Sequence, residues 1–301
     1  MAGTTDLAEP HFDEAFLTGT NTEKAVLGKV YKDVSFPLTQ DAVFKENEGD
    51  AESKAKYWYF DSNERSLYLK QDPTNSKYYL EATQTDTDNN NKPIYTDDNS
   101  QNRGSDNSTT DSENGDQSRG FGFFPFNQMM GRENRNVNKY NYGFGAKLQF
   151  DFTLTNDGKV VVGTNEKGED IKVPIKFFFS GDDDVWVYID GQLVLDVGGA
   201  HGKASGLLEF GQTTDEKANT VTPYVSSNKV GGETYTTTVN NKTVYFNGNE
   251  VKFTKQGEIF DKDGNPFTLT KGTTHTLTMF YMERGMWESN MAVAYNFPDH
   301  N

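Results

Sequence analysis

The chain predicts an all-β fold. Short runs rich in Phe, Tyr, Val and Thr recur between clusters of turn-forming residues. No long stretch keeps the 3.6-residue apolar spacing of a helix. Two-residue tips such as Asp190-Gly191 and Asn247-Gly248 stand between apolar runs, the places where hairpins use them.

Taken in order, residues 57–60 (Tyr-Trp-Tyr-Phe) and 65–69 (Arg-Ser-Leu-Tyr-Leu) read as two strands paired around Asp61-Ser62-Asn63-Glu64. Residues 84–119 differ in kind. Ile94 and Tyr95 are their only large apolar side chains, so this span cannot bury enough surface to offset its ordering entropy and is expected to be a mobile insertion. The abruptly apolar Gly120-Phe121-Gly122-Phe123-Phe124-Pro125-Phe126 is expected to dock in the core, which places the insertion inside one elaborated domain of residues 1–301. Residues 146–154 alternate with period two, so one face is expected to be buried. Asn156-Asp157-Gly158 then turns that strand back through residues 159–162, and residues 171–179 read as one long strand ending in Phe177-Phe178-Phe179. Asp190-Gly191 is the clearest hairpin tip, because Asp-Gly readily supplies the positive φ angles of a type I′ turn. Asn240-Asn241, Asn247-Gly248 and Asp263-Gly264 are read as further tips, and residues 277–281 and 291–295 as strands closing the sheet.

The net charge of -16 argues against nucleic acid and anionic membrane surfaces, which need Lys and Arg to displace counterions. With no cysteine there is no disulfide, thiolate metal site or cysteine nucleophile. No run approaches the roughly 18–20 apolar residues of a membrane span, so no membrane insertion of this segment is expected. The N-terminal residues lack the basic and apolar regions of a signal peptide. A hydrophobic fraction of 34% over 301 residues points to long polar excursions around a compact centre. Abundant Thr, Asn, Gly and Tyr with net acidity suits an extracellular module.

Three adjacent carboxylates, Asp182, Asp183 and Asp184, lie between an apolar strand and Val185-Trp186-Val187. They repel one another unless something neutralises them, and two uses are open: hard oxygen ligands for calcium, or a solvated turn. A second constellation, Glu283-Arg284-Gly285-Met286-Trp287-Glu288-Ser289-Asn290, reads either as an ordinary loop or as a second wall of a site. There Asn290 offers a carbonyl oxygen, and Trp287 an apolar face for a sugar ring. His201, in Gly198-Gly199-Ala200-His201-Gly202, is read as holding a Gly-rich turn. The histidines lack zinc-site spacing, and no G-x-S-x-G elbow supports a serine nucleophile. Adjacent aspartates on one turn are poor glycosidase acids, which flank a substrate across a cleft. No catalytic residues are therefore assigned.

The run Phe178-Phe179-Ser180-Gly181-Asp182-Asp183-Asp184-Val185-Trp186-Val187-Tyr188-Ile189-Asp190-Gly191, with Leu193-Val194-Leu195-Asp196-Val197-Gly198-Gly199-Ala200-His201-Gly202, Tyr281-Met282-Glu283-Arg284 and Ser289-Asn290, closely resembles the fibro-slime domain, itself similar to the PA14 family. The likeness covers about residues 120–298. It implies a PA14-like antiparallel β-sandwich with long loop insertions, in a secreted or surface-attached protein of a bacterium, Gram-positive by implication. It also implies calcium as cofactor, a glycan or cell-surface glycoconjugate as partner, and a lectin-like adhesion role. Carried over position by position, the family's aspartate pair, joined by a cis peptide, falls on Asp182 and Asp183, and Asn290 becomes the side-chain ligand of the second loop. Asp184, Glu283, Arg284 and Trp287 would then border the ligand, while Asp190, Gly191 and His201 shape turns. Two departures stand out: Asp184 replaces a common Gly, and the second loop is rich in Glu and Arg. The rival reading is a structural stalk whose calcium loop, or an internal Lys-Asn isopeptide link, serves stability alone. A glycoside hydrolase or its accessory domain is a weaker third.

Overall fold

A computed structural model describes residues 31–46, 54–84, 86–87, 93–94, 123, 125–126, 144–182, 184–199, 203–212, 217–226, 241–283 and 289–298. Those residues are almost entirely antiparallel β-structure. The chain opens with β1 (Thr39–Asp41), β2 (Phe44–Lys45) and β3 (Tyr57–Asp61), followed by the hairpin of β4 (Arg65–Gln71) with β5 (Tyr78–Gln84). Apart from Gln84 at the end of β5, a two-residue pair, β6 (Asp86–Thr87) and β7 (Pro93–Ile94), is all that is described of the polar insertion. Next come β8 (Phe144–Thr153) and a hairpin of β9 (Lys159–Thr164) with β10 (Asp170–Pro174). The remainder is β11 (Lys176–Gly181), β12 (Asp184–Ile189), β13 (Gln192–Val197), β14 (Ala204–Gln212), β15 (Ala218–Ser226), β16 (Asn241–Phe246), β17 (Asn249–Lys255), β18 (Thr268–Thr270), β19 (Thr274–Glu283) and β20 (Met291–Tyr295).

Two sheets carry the fold. The larger runs β1-β3-β20-β11-β14-β15-β17-β16-β2, with β18 beside β15, and the smaller runs β13-β12-β19-β8. They pack face to face: Phe150 of β8 stacks on Tyr295 of β20 at 4.7 Å, and Phe152 of β8 meets Phe210 of β14 at 5.7 Å. At Gly206 of β14 the smaller sheet comes so close that a Cβ would lie 2.5 Å from Leu195 Cδ2.

Side chains alternate between faces along a strand, so three consecutive buried phenylalanines on β11 require cover on both sides. Phe179 faces the Tyr281 ring of the smaller sheet at 6.4 Å. Phe178 packs instead among Phe44, Phe246 and Phe253. That second cover comes from the larger sheet itself. Residues 39–45 pair at one end with β3 and at the other with β16, at opposite edges, so the sheet curls until one segment joins both edges.

Several pairings differ from those expected. Strands β3 and β4 do not pair; the edges of β3 are taken by β1 and β20. The turn at 156–158 exists, but β9 pairs with β10 rather than returning along β8. The long strand over 171–179 is two strands. It breaks at Ile175, whose N–H bonds Gly158 O, and the chain leaves one sheet there to enter another. Leu277–Tyr281 and Met291–Tyr295 lie in different sheets, each inside its sheet rather than at an edge. Asp190-Gly191 (φ 51° and 82°) and Asn247-Gly248 (φ 47° and 77°) are hairpin tips, and Asp263-Gly264 turns between the bridged residues Phe260 and Pro266. Asn241 opens β16, whereas Asn240 lies outside the described residues. Phe123 is buried against Phe60 and Tyr281, as expected for the segment after the insertion.

Candidate calcium and ligand loops

Two connections pass between the sheets at the same end of the molecule. One leaves β11 and enters β12 through Asp182 and Asp183; the other leaves β19 and enters β20 through residues 284–290. The register places Gly181 opposite Met291 and Asp184 opposite Met282. The loops touch directly: the Asp182 N–H donates to Asn290 O at 3.1 Å. Gly181 permits this approach, because a Cβ there would stand 2.4 Å from Asn290 O and 2.6 Å from Phe179 Cζ.

Tyr281 ties the loops from below. Its buried hydroxyl lies 3.1 Å from Asp182 O, 3.0 Å from Glu283 Oε2 and 3.1 Å from Ser289 Oγ. Ser289 Oγ in turn donates to Phe123 O at 2.7 Å, and the Phe123 N–H donates back to Ser289 O at 2.7 Å. Ser62 closes the cluster, its N–H donating to Met291 O and its Oγ accepting from the Met291 N–H. Tyr281 and Ser289 stand in the motifs that carry the resemblance and Ser62 in none, but the sequence assigns no role to any of them; only the crossing of the loops gives them this one.

The described acids take different positions. Asp182 is half-buried at the strand end. Asp184, the first residue of β12, is buried, and its Oδ1 accepts the Gly199 N–H at 2.6 Å, which ties the Gly-rich turn to the acidic run. Glu283 is 2% exposed and faces Tyr281. Asn290 is nearly buried, and its side-chain amide makes no hydrogen bond among the described residues. Asp183, Arg284, Trp287 and His201 lie outside the described residues. So does the Asp182–Asp183 peptide bond; among the described residues no peptide is cis.

The donor set suits a hard cation. Asp182, an Asn290 amide oxygen with no partner among the described residues and carbonyl oxygens at two loop ends are the mixture of carboxylate and neutral oxygen that calcium takes. Among the described residues, no three His, Asp or Glu side chains gather into a site by themselves, so such a site depends on Asp183 and on carbonyls.

Asp190 does more than shape a turn. At the other end of β12 its carboxylate accepts the Thr276 N–H at 2.9 Å and meets His275 Nδ1 at 2.6 Å. Nε2 of His275 lies 2.9 Å from Thr270 O and 3.0 Å from Thr273 Oγ1. The hairpin tip is thereby clamped to the start of β19.

A separate charged cluster escaped the sequence reading. The fully buried Lys176 ammonium pairs with Glu46 at 2.6 Å and Glu209 at 3.5 Å, and Lys242 bridges the same two acids. Burial pushes the Glu46 carboxyl up, but Lys176 and then Lys242 outweigh it and bring it down to about 2. Burial, followed by the charge of Glu209, pushes the Tyr224 phenol up to about 12. Asn296 sits beside Lys176, yet its amide is engaged by backbone: Oδ1 accepts the Lys176 N–H and Nδ2 donates to Pro174 O.

No family model matches the chain, and no solved structure matches it. It is similar in part to several proteins of Dictyostelium discoideum. Protein psiO is 35% identical over 80 residues, which cover 27% of this chain and 8% of that protein. Protein psiF is 36% identical over 93 residues, covering 29% and 12%. Protein psiQ is 62% identical over 29 residues, covering 10% and 3%. The chain thus spans at most about an eighth of the length of these relatives.

Proposed function

We propose that this chain is a calcium-dependent carbohydrate-binding module of an extracellular adhesion protein. Asp182, Asp183 and Asn290 hold the ion in this reading, and Glu283, Arg284 and Trp287 border a glycan whose hydroxyls complete the ion's coordination. The observation that carries the reading is the direct contact of the two loops, with the Asp182 N–H donating to Asn290 O, which sets Asp182 beside the nearly buried Asn290. An amide oxygen at the edge of two meeting loops is available to a group that seeks oxygen ligands. Calcium is such an acceptor-seeking group. The test is glycan-array binding with calcium and then with chelator: retention of a glycan only with calcium supports the reading, and equal retention under chelator overturns its calcium dependence.

A stalk function is the second reading, and one observation favours it. Asp184 and Glu283 are buried and hydrogen-bonded inside the fold, as parts of a stabilising joint would be. Calcium that raises the melting temperature while the array retains nothing selects the stalk. An intact mass about 17 Da below the sequence value reveals an isopeptide link within it.

A further inference from the structure

Where residues 39–45 cross between the two edges of the larger sheet, they border a half-open cavity of about 400 Å³. That size lies within the roughly 300–1,000 Å³ of small-molecule sites. Its polar lining comes from Asp41, Lys45, Tyr59, Glu64, Tyr245 and Asn247. None of these belongs to the acidic loops.

The walls are fixed. Asn247, at the tip between β16 and β17, donates its backbone N–H to Val43 O at 2.9 Å and its Nδ2 to Asp61 Oδ2 at 2.8 Å. These bonds pin the hairpin tip across the seam and leave Asn247 Oδ1 as an acceptor with no protein partner among the described residues. Tyr59 donates its hydroxyl to Glu64 Oε2 at 3.0 Å, which orients the carboxylate at the rim. Tyr245 makes no hydrogen bond through its hydroxyl among the described residues; Lys45 Nζ lies 5.7 Å from its ring centroid. Arg65 backs Tyr59 at 5.8 Å and donates to Thr39 Oγ1.

Charge and chemistry narrow the ligand. Asp41, Asp61 and Glu64 stand against Lys45 and Arg65, so neither sign strongly dominates this patch in a chain of net charge -16. An ion-binding site would carry the opposite charge in excess. Both tyrosine rings already have a cation near them, which leaves little gain for an organic cation. What remains is a mixture of acceptors, donors and aromatic surface, and a neutral polyhydroxylated ligand answers all three: hydroxyls pair with carboxylate, amide and ammonium while C–H faces meet tyrosine.

We infer that this seam cavity is a saccharide-binding subsite, independent of calcium, with Glu64, Tyr245 and Asn247 as its principal contacts. It goes beyond the calcium-loop reading and stands if those loops hold no cation. The experiment follows amide resonances of the isotope-labelled chain during titration with millimolar glucose, galactose, mannose, N-acetylglucosamine and their disaccharides, in chelator. The result expected is saturable movement of Ala42, Asn247 and Gly248 with at least one sugar. Affinity should fall at least tenfold in Tyr245→Ala and in Glu64→Ala and stay unchanged in Asp182→Asn. Glu64 stands exposed in a turn, so its variant keeps the test valid if Tyr245→Ala folds poorly. The inference is overturned if no sugar moves these three resonances, if both variants bind as the parent does, or if glycine or choline moves them and the sugars do not.

Discussion

Tyr281→Phe removes one oxygen from the joint between the two loops and nothing else. The ring is 1% exposed and packs on Phe123 at 5.5 Å and Phe179 at 6.4 Å, so phenylalanine fits the same space without a cavity. The lost hydroxyl lies within 3.1 Å of Asp182 O, Glu283 Oε2 and Ser289 Oγ. Ser289 spends its own proton on Phe123 O, so the Tyr281 proton serves the acceptors that remain. Removing one partner from a buried hydrogen-bonded cluster costs about 1–3 kcal/mol. A loss of about 2 kcal/mol is expected. For a chain of this size that is a fall of about 4 °C in melting temperature. Urea unfolding measures it directly: the midpoint should drop while the slope stays constant. A change below about 0.5 kcal/mol would refute the assignment of this hydroxyl as the tie between the loops.

Gly181→Ala should destabilise the chain by about 1–3 kcal/mol, the cost of overpacking, because its Cβ would stand 2.4 Å from a backbone oxygen that cannot move without parting the loops; chemical denaturation checks this. Glu46 titrates at about 2 in the folded chain against an ordinary value of 4.5, so its contribution is complete above about 4.5 and is lost as pH falls toward 2. Glu46→Gln should accordingly flatten the loss of stability across that window, as followed by unfolding at successive pH values. At Asp190, Asn keeps one acceptor and tolerates the positive φ, whereas Ala keeps neither. Thermal unfolding should therefore show Asp190→Ala costing about 1–2 kcal/mol, with Asp190→Asn clearly milder.

Local chemistry was legible and partner choice was not. Asp190-Gly191 and Asn247-Gly248 announce their turns because the backbone there needs positive φ, a property of two residues alone. Phe177-Phe178-Phe179 announces an apolar strand, and the structure buries all three rings. The expected β3–β4 hairpin failed because a turn at Ser62–Glu64 does not reserve the strand edge; β1 and β20, from far along the chain, occupy it. Ile175 broke an expected strand for a similar reason, since its backbone bonds the distant Gly158 and Phe210. At the candidate site, the aspartate run and Asn290 stood out by residue type. Tyr281 and Ser289 stood in the motifs that carry the resemblance, but their joining role was not legible, because it exists only once two crossovers meet at one end of the sheets. The seam cavity was hidden for the same reason: Glu64 and Tyr245 lie 181 residues apart in sequence and meet through curvature of the sheet.

Calorimetric titration of the chelator-stripped chain with calcium tests the central claim most directly. The account expects one ion per chain, loss of that binding in Asp183→Ala and weakening in Asn290→Ala. Saturating calcium should also stabilise the parent by about 2.7 kcal/mol at a hundredfold excess over the dissociation constant. Absence of heat, together with an unchanged melting temperature in calcium, would contradict it.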